Sequence, residues 1–401
     1  MTKENTTINT PLALKSISFK ELPRHDTCWS LMTGLNGKMY IGVCGEMTGG
    51  LSAYIARYDP GTDQTDYLLE VAEVLGAPND SCQAAHAKVH YSLVQDNDGT
   101  MYAATHCTGA PKGDFVWRPW NCWTHPHKKF SGSGLIAFNP NNGQTLFSDI
   151  FLPQEGTRCL TIAPEHRKLY GISYPRNHFF IYDLNQRALR DLGRIGSINP
   201  QCIFTDREEN AYTTDDYGYL IRCDADTEEL STLDIQIPHA DFRDGFHNVL
   251  YDVTPCPDGE SVFGVTWAFG ERLFRYDFVR NKLYDFGKAF GPESAEWQHL
   301  INSHTGGLVF GPDQYLYFVS NFLSEGRSVP HLIKMDPDSG KREVVDMIQD
   351  QGVPADHISR AAADFQGNLY FAEVGNCPTK IFQYTPDLVR NTSKPSRRFW
   401  G

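Results

Sequence analysis

The chain has 401 residues, 40% of them hydrophobic, enough to bury a large core in one or two domains. Its formal net charge of -13 excludes a nucleic-acid binder that relies on bulk positive potential. No apolar run reaches the roughly 18 residues of a membrane helix. The 19 Tyr, 24 Phe, 34 Gly and 23 Pro are strand-and-turn composition.

The opening MTKENTTINT is polar and carries no signal-peptide pattern, which predicts a cytoplasmic protein unless a leader has been removed. Residues 1–11 read as a loose tail. The following LALKSISFKEL (12–22) alternates as a strand does but belongs to no unit of its own. From there a marker recurs, a turn followed by a short apolar strand with an aromatic. It reads NGKMY at Tyr40, DGTMY at Tyr102, EHRKLY at Tyr170, EENAY at Tyr212, DGESVF at Phe263, PDQYLY at Tyr317 and QGNLY at Tyr370. A second marker follows each: ARYDP at Tyr58, IAFNP at Phe138, FIYDL at Tyr182, IRCDA at Cys223, FRYDF at Tyr276, IKMDP at Met335 and FQYTP at Tyr384. Its Asp reads as a turn former rather than a catalytic carboxylate.

A strand–turn–strand–loop–strand unit at this spacing predicts an all-β fold, a β-propeller of seven blades in one domain over 12–386. An open ring would leave two sheet edges. The C-terminal DLVRNTSKPSRRFWG (387–401) is too polar for a good strand, so the segment near 12–22 is expected to complete the last blade. Inner strands are expected near 28–32, 90–94, 158–162, 201–205, 247–251, 304–309 and 357–361, their starts converging on one face of the ring.

The stretch HAKVHYSLVQDNDGTMYAATHC (86–107) reads as a hairpin turning at Asp98-Gly99. His90 and His106 then return to the same rim. That rim also collects His86, Arg158, Tyr174, Arg176, His247, His304, His357 and Arg360. Four units begin an inner strand with His, which core packing does not require. Imidazoles with Arg and Tyr suit proton transfer on an anionic sugar. His247, His304 and His357 come from successive blades and could meet at one divalent ion, zinc rather than manganese, in a structural role; no H-x-H or H-E-x-x-H spacing supports it. An insertion at 108–133 carries Trp117, Trp120, Trp123, His125, His127, Arg118, Lys128 and Lys129, a set suited to stacking on sugar rings beside cations. Ten Cys occur without a C-x-x-C, which points to reduced, structural thiols. No G-x-S-x-G, P-loop or dinucleotide fingerprint is present, so no organic cofactor is expected.

The stretches KVHYSLVQDNDGTMYAATH, LYGISYPRNHFFIYDL with DLGRI, GVTWAFGERLFRYD and HISRAAADFQGNLYFAEVG resemble the seven-bladed propeller polysaccharide lyases, the ulvan lyases and more distantly the oligogalacturonate lyases. The resemblance covers about residues 25–385 and its motifs are moderately specific, since propeller blades look alike. It implies β-elimination at a uronate in an acidic poly- or oligosaccharide. His90, His106 and Tyr174 match the family's proton-transfer residues by blade and strand end. Arg194 or Arg176 is the counterpart of its carboxylate-neutralising Arg, and Trp117 and Trp123 would contact the sugar. Only His357 stands in the last blade where the oligogalacturonate lyases cluster metal-binding His. A monomer without nucleic-acid or membrane partners is expected. Two other classes fit the same repeats: a non-catalytic sugar- or protein-binding propeller, and a metal-dependent lactonase or other hydrolase, which would want Glu, Asp and Asn at the channel mouth. Fold alone does not choose among them.

Overall fold

A computed structural model describes residues 14–386 apart from 47–50, 78–82, 108–120, 198, 239–248, 268–270, 290–304 and 325–326. The described strands form seven four-stranded antiparallel blades and one small hairpin, Gln349–Asp350 with Val353–Pro354. Six of the blades are consecutive in sequence. Their inner strands are Thr27–Thr33, Leu93–Gln95, Gly156–Ala163, Phe204–Thr205, Leu250–Pro255 and Thr305–Phe310. The seventh blade takes three strands from the C-terminal end, His357–Ala363, Leu369–Val374 and Lys380–Tyr384, and its fourth, Lys15–Ser18, from the N-terminal end. Ile17 pairs with Ile381 and Ser18 with Lys380, so the expected closure by the N-terminal segment is present, shorter than 12–22. Among the described residues helix is confined to two four-residue turns, Val71–Val74 and Asn121–Thr124.

The recurring aromatics have a common physical role. In three blades the Tyr of the first marker is buried and its hydroxyl returns to an Asp at the start of the preceding turn. Tyr212 donates to Asp206 at 2.8 Å, Tyr317 to Asp313 at 2.8 Å and Tyr370 to Asp364 at 3.0 Å. A large ring is thereby buried without orphaning its hydroxyl. The Asp of the second marker caps the next turn, as Asp183 accepts from the backbone N–H of Asn185 and Gln186. The eight described cysteines are free thiols, seven of them buried.

Neighbouring blades are joined by polar contacts at the start of the third strand. Ser133 meets Thr157 at 2.8 Å, Asn199 donates to Asn177 at 3.1 Å, and Thr379 meets Cys28 at 3.5 Å. Between blades five and six this place is taken by a carboxyl group, Glu271, hydrogen-bonded to Thr305. Burial pushes its pKa up to about 8, and one oxygen, Oε1, has no hydrogen-bond partner. A carboxyl that holds its proton more tightly folded than unfolded stabilises the fold fully below its ordinary value of 4.5 and loses that contribution as pH rises through about 8. Glu271→Gln keeps the shape and removes the titration. Denaturant midpoints taken at about pH 5 and about pH 9 should fall with pH in the wild type and differ less in the variant.

Candidate functional site

The inner strands are not regular. Several carry a one-residue bulge near the start. In blade one the register slips between Cys28 and Ser30, which singles out Trp29. In blade three it slips between Thr157 and Cys159, at Arg158. The same slip falls at Tyr251 in blade five and at Ser359 in blade seven. In blade two the paired strand begins only at Leu93, and His106 bridges Lys88 rather than the directly opposite His90. The irregularity brings the two imidazoles to a centroid separation of 5.9 Å, edge to face. The expected His90–His106 pair is therefore formed, through a looser register than a plain hairpin.

Around that pair the structure assembles an aromatic shell. His90 stacks on Trp29 at 4.6 Å. His106 lies 4.9 Å from the Tyr174 ring and 5.6 Å from Trp123, and Trp123 is 5.3 Å from Tyr174. Tyr174 ends the second strand of blade three, opposite Gly156. Gly156 has a reason to lack a side chain, because a methyl group there would collide with His106 Nδ1. Trp123, on the described part of the insertion, roofs the cluster, with Phe130 and Cys107 packed beneath it. His86 supports that roof by bonding Thr105 at 2.9 Å and Ser131 at 3.3 Å. Burial lowers its pKa to about 4, so it serves as a neutral strut.

The two central imidazoles are held in opposite tautomers by backbone groups. His90 Nδ1 lies 2.8 Å from the carbonyl oxygen of Arg158. A carbonyl only accepts, so Nδ1 carries the proton and Nε2 presents a lone pair. The backbone N–H of Cys107 donates to His106 Nδ1 at 2.8 Å, so the proton of neutral His106 sits on Nε2. Both Nε2 atoms are buried and have no hydrogen-bond partner. Burial, then the positive charges of Arg158 and Lys88, holds His90 well below its ordinary pKa. Burial, then Lys88 and Arg158, does the same to His106. At neutral pH one ring is a proton acceptor and the other a proton donor.

Cations surround the pair. Arg158 lies over the Tyr174 ring at 5.6 Å, bonds Gln201 through one amino group and leaves a buried Nε–H without a partner. Lys88 is almost wholly buried, sits over Trp29 at 4.5 Å and pairs with Glu46 at 2.7 Å. The Trp29 indole N–H donates to the same carboxylate at 2.6 Å. Burial works to raise the pKa of Glu46, but the charge and hydrogen bond of Lys88 outweigh it and the group ends below its ordinary value. Burial lowers Lys88 by more than Glu46 offsets.

The remaining expected residues fall elsewhere. Arg194 ends the outermost strand of blade three, where its Nε donates to Gly196 O. It is three strands from the inner strand that carries Arg158. Arg176 is 61% exposed and paired with Glu155 at 2.9 Å. Neither arginine reaches the imidazoles; Arg158 does, because the bulge aims it inward. Arg360, expected on the rim, is turned into the channel and paired with Asp252. Trp117, His247 and His304 lie outside the described residues. His357 starts the inner strand of blade seven, 5.9 Å from Trp29 and 3.8 Å from Asp356 Oδ2. Among the described residues no three His, Cys, Asp or Glu side chains are grouped to hold a metal ion. Trp29, Glu46 and Lys88 escaped the sequence reading; their only signal was a Lys and a Trp at strand positions where apolar alternation was expected.

No protein-family model matches the chain, and no curated protein matches its sequence. Solved structures do match its shape, and they are β-propellers. The WD40 repeats of RRP9 align with a TM-score of 0.59 over 94% of this chain and 99% of that one, at 9% identity. A Bacteroides uniformis protein described as a 6-phosphogluconolactonase aligns with a TM-score of 0.53 over 83% of this chain and 88% of that one, at 14% identity. The extracellular domain of BT4673 from B. thetaiotaomicron, described as part of a hybrid two-component system, gives 0.59 at 12% identity. This chain covers 92% of its own length there but only 39% of the longer BT4673 domain. At such identities the likeness is one of fold, and the fold defines a seven-bladed β-propeller.

The buried Lys88–Glu46 pair gives a direct test of the site's architecture. Lys88→Met strands a carboxylate and should cost about 3–5 kcal/mol in urea unfolding. Adding Glu46→Gln removes the stranded charge and should recover most of the loss. Equal stability of Lys88→Met and wild type would contradict the pairing.

Proposed function

We propose that this propeller is a lyase that cleaves a uronate-containing acidic saccharide by β-elimination at the His90–His106–Tyr174 face. The observation that carries the reading is the fixed, opposite tautomers of two neutral imidazoles beside a cation. His90 Nε2 is the base that takes the C5 proton. The C5 carbanion is stabilised by its carboxylate, which Arg158 meets with its unpartnered N–H and to which His106 Nε2–H donates. The C4–O4 bond then breaks, C4 and C5 become doubly bonded, and the Tyr174 hydroxyl gives its proton to the departing O4. A phenol gives up a proton far more readily than a neutral imidazole N–H, which favours Tyr174 over His106 as the acid.

Substrate binding also tunes the base. Arg158 and Lys88 are two of the influences that depress His90. A carboxylate docked on Arg158 offsets that repulsion and raises the basicity of His90 when substrate is present. Trp123 and Tyr174 supply ring faces for a pyranose, and Trp123 must swing aside to admit it. Tyr174→Phe removes only a hydroxyl, so folding should survive.

Turnover is read on a panel of uronate polymers by the ultraviolet absorbance of the unsaturated product, with thermal melting alongside. Tyr174→Phe and His90→Ala should each lose about 10²–10⁴ in rate, Tyr174→Phe with little change in melting and His90→Ala with some loss from removing a buried ring. Near-wild-type turnover in either variant would remove that residue from the chemistry. Absence of an unsaturated product from every uronate polymer would leave a binding propeller as the better reading.

A further inference from the structure

We propose that the channel mouth opposite the histidines is a second ligand site, built for an aliphatic monocarboxylate. The later halves of the inner strands enclose a cavity of about 290 Å³ there. Its walls come from different blades and are mostly apolar, Leu31, Leu93, Leu160, Phe204, Val253 and Ala361, with Thr161 and Thr205 among them. Its inner end is polar, made by Tyr91, Ser30 and Arg360. The hydroxyl protons at that end are committed inward. Tyr91 donates to Ser359 O at 3.0 Å and Ser30 to Val89 O at 2.9 Å. Among the described residues Arg360 is the one cation lining the cavity.

The guanidinium is placed to receive an anion. Its face covers the Tyr91 ring at 4.2 Å, and one amino group, Nη1, bonds Asp252 Oδ1. Asp252 lies behind, 1% exposed, whereas the Arg360 side chain keeps 22% exposure. The Asp252 charge is already met by the backbone N–H of Val253 at 2.9 Å and of Leu308 at 3.0 Å as well as by Arg360. The contact with Asp252 is made through Nη1, which leaves other guanidinium donors that the aspartate does not engage. A carboxylate can take two of them side by side, and an alkyl chain behind it replaces water on the apolar walls. A second carboxylate or a sugar would find no further charged partner on these walls, which sets this site apart from the saccharide face. The proposal stands whether or not the opposite face is a lyase.

Isothermal titration of the whole protein with octanoate and with 1-octanol tests it. Octanoate should bind, and the alcohol of equal chain length should bind at least about tenfold more weakly. Thr161→Trp, which fills the cavity from the wall of blade three, should abolish octanoate binding. Because Arg360→Met alone would strand Asp252, the double variant Arg360→Met/Asp252→Asn is the second probe, and it should bind the two ligands alike. Failure of the wild type to bind octanoate, equal binding of octanoate and octanol by the wild type, or undiminished binding by folded Thr161→Trp would each overturn the proposal.

Discussion

The structure depends on the closure of its ring. Seven blades laid side by side end in two open sheet edges unless the chain's ends meet, and here four residues, Lys15–Ser18, accomplish this against Lys380–Tyr384. The seam continues beyond those pairs. Phe19 donates its backbone N–H to Thr379 O, Thr379 to His25 O, and Gly375 to Asp26 O. On the inner side Ser359 donates to Cys28 O at 2.6 Å, tying blade seven to blade one. Closure fixes where inner-strand starts lie relative to one another. It therefore sets Trp29 from blade one beside His90 from blade two and His357 from blade seven.

Within the closed ring, the bulges decide what reaches the channel. A regular inner strand alternates its side chains between the two blades that sandwich it. An extra residue breaks that alternation and turns one side chain to the axis. The register slips at Trp29, Arg158, Tyr251 and Ser359 in four blades. Two of them, Trp29 and Arg158, frame the imidazole pair directly. The channel is then divided at mid-depth by Tyr91 and the Arg360–Asp252 pair, with a charged aromatic face at one mouth and an apolar hollow at the other.

Much of the fold was legible because its markers report local chemistry. A Tyr that returns its hydroxyl to a turn Asp recurs in three blades, and an Asp that caps the next turn in several. The site was legible only in part. His90, His106 and Tyr174 could be placed together because hairpin geometry returns strand ends to one rim. The arginine could not. Sequence spacing places Arg176 and Arg194 at the right end of blade three, but not at a radius, and radius is set by strand order and by a bulge that leaves no residue signature. Lys88 drew no reading from the sequence. Its burial became intelligible only once blade one supplied Glu46 and Trp29 to meet its charge.

A buried Lys88, a half-buried Arg158 and one carboxylate beside two neutral rings make a site that is short of negative charge at its centre. That imbalance and the two backbone hydrogen bonds at His90 and His106 carry the functional account. Long-range ¹H–¹⁵N correlation of the imidazoles near neutral pH reads those bonds without any substrate. The account predicts two neutral rings, His90 protonated on Nδ1 and His106 on Nε2. The same tautomer on both, or a protonated imidazolium at either, would contradict it.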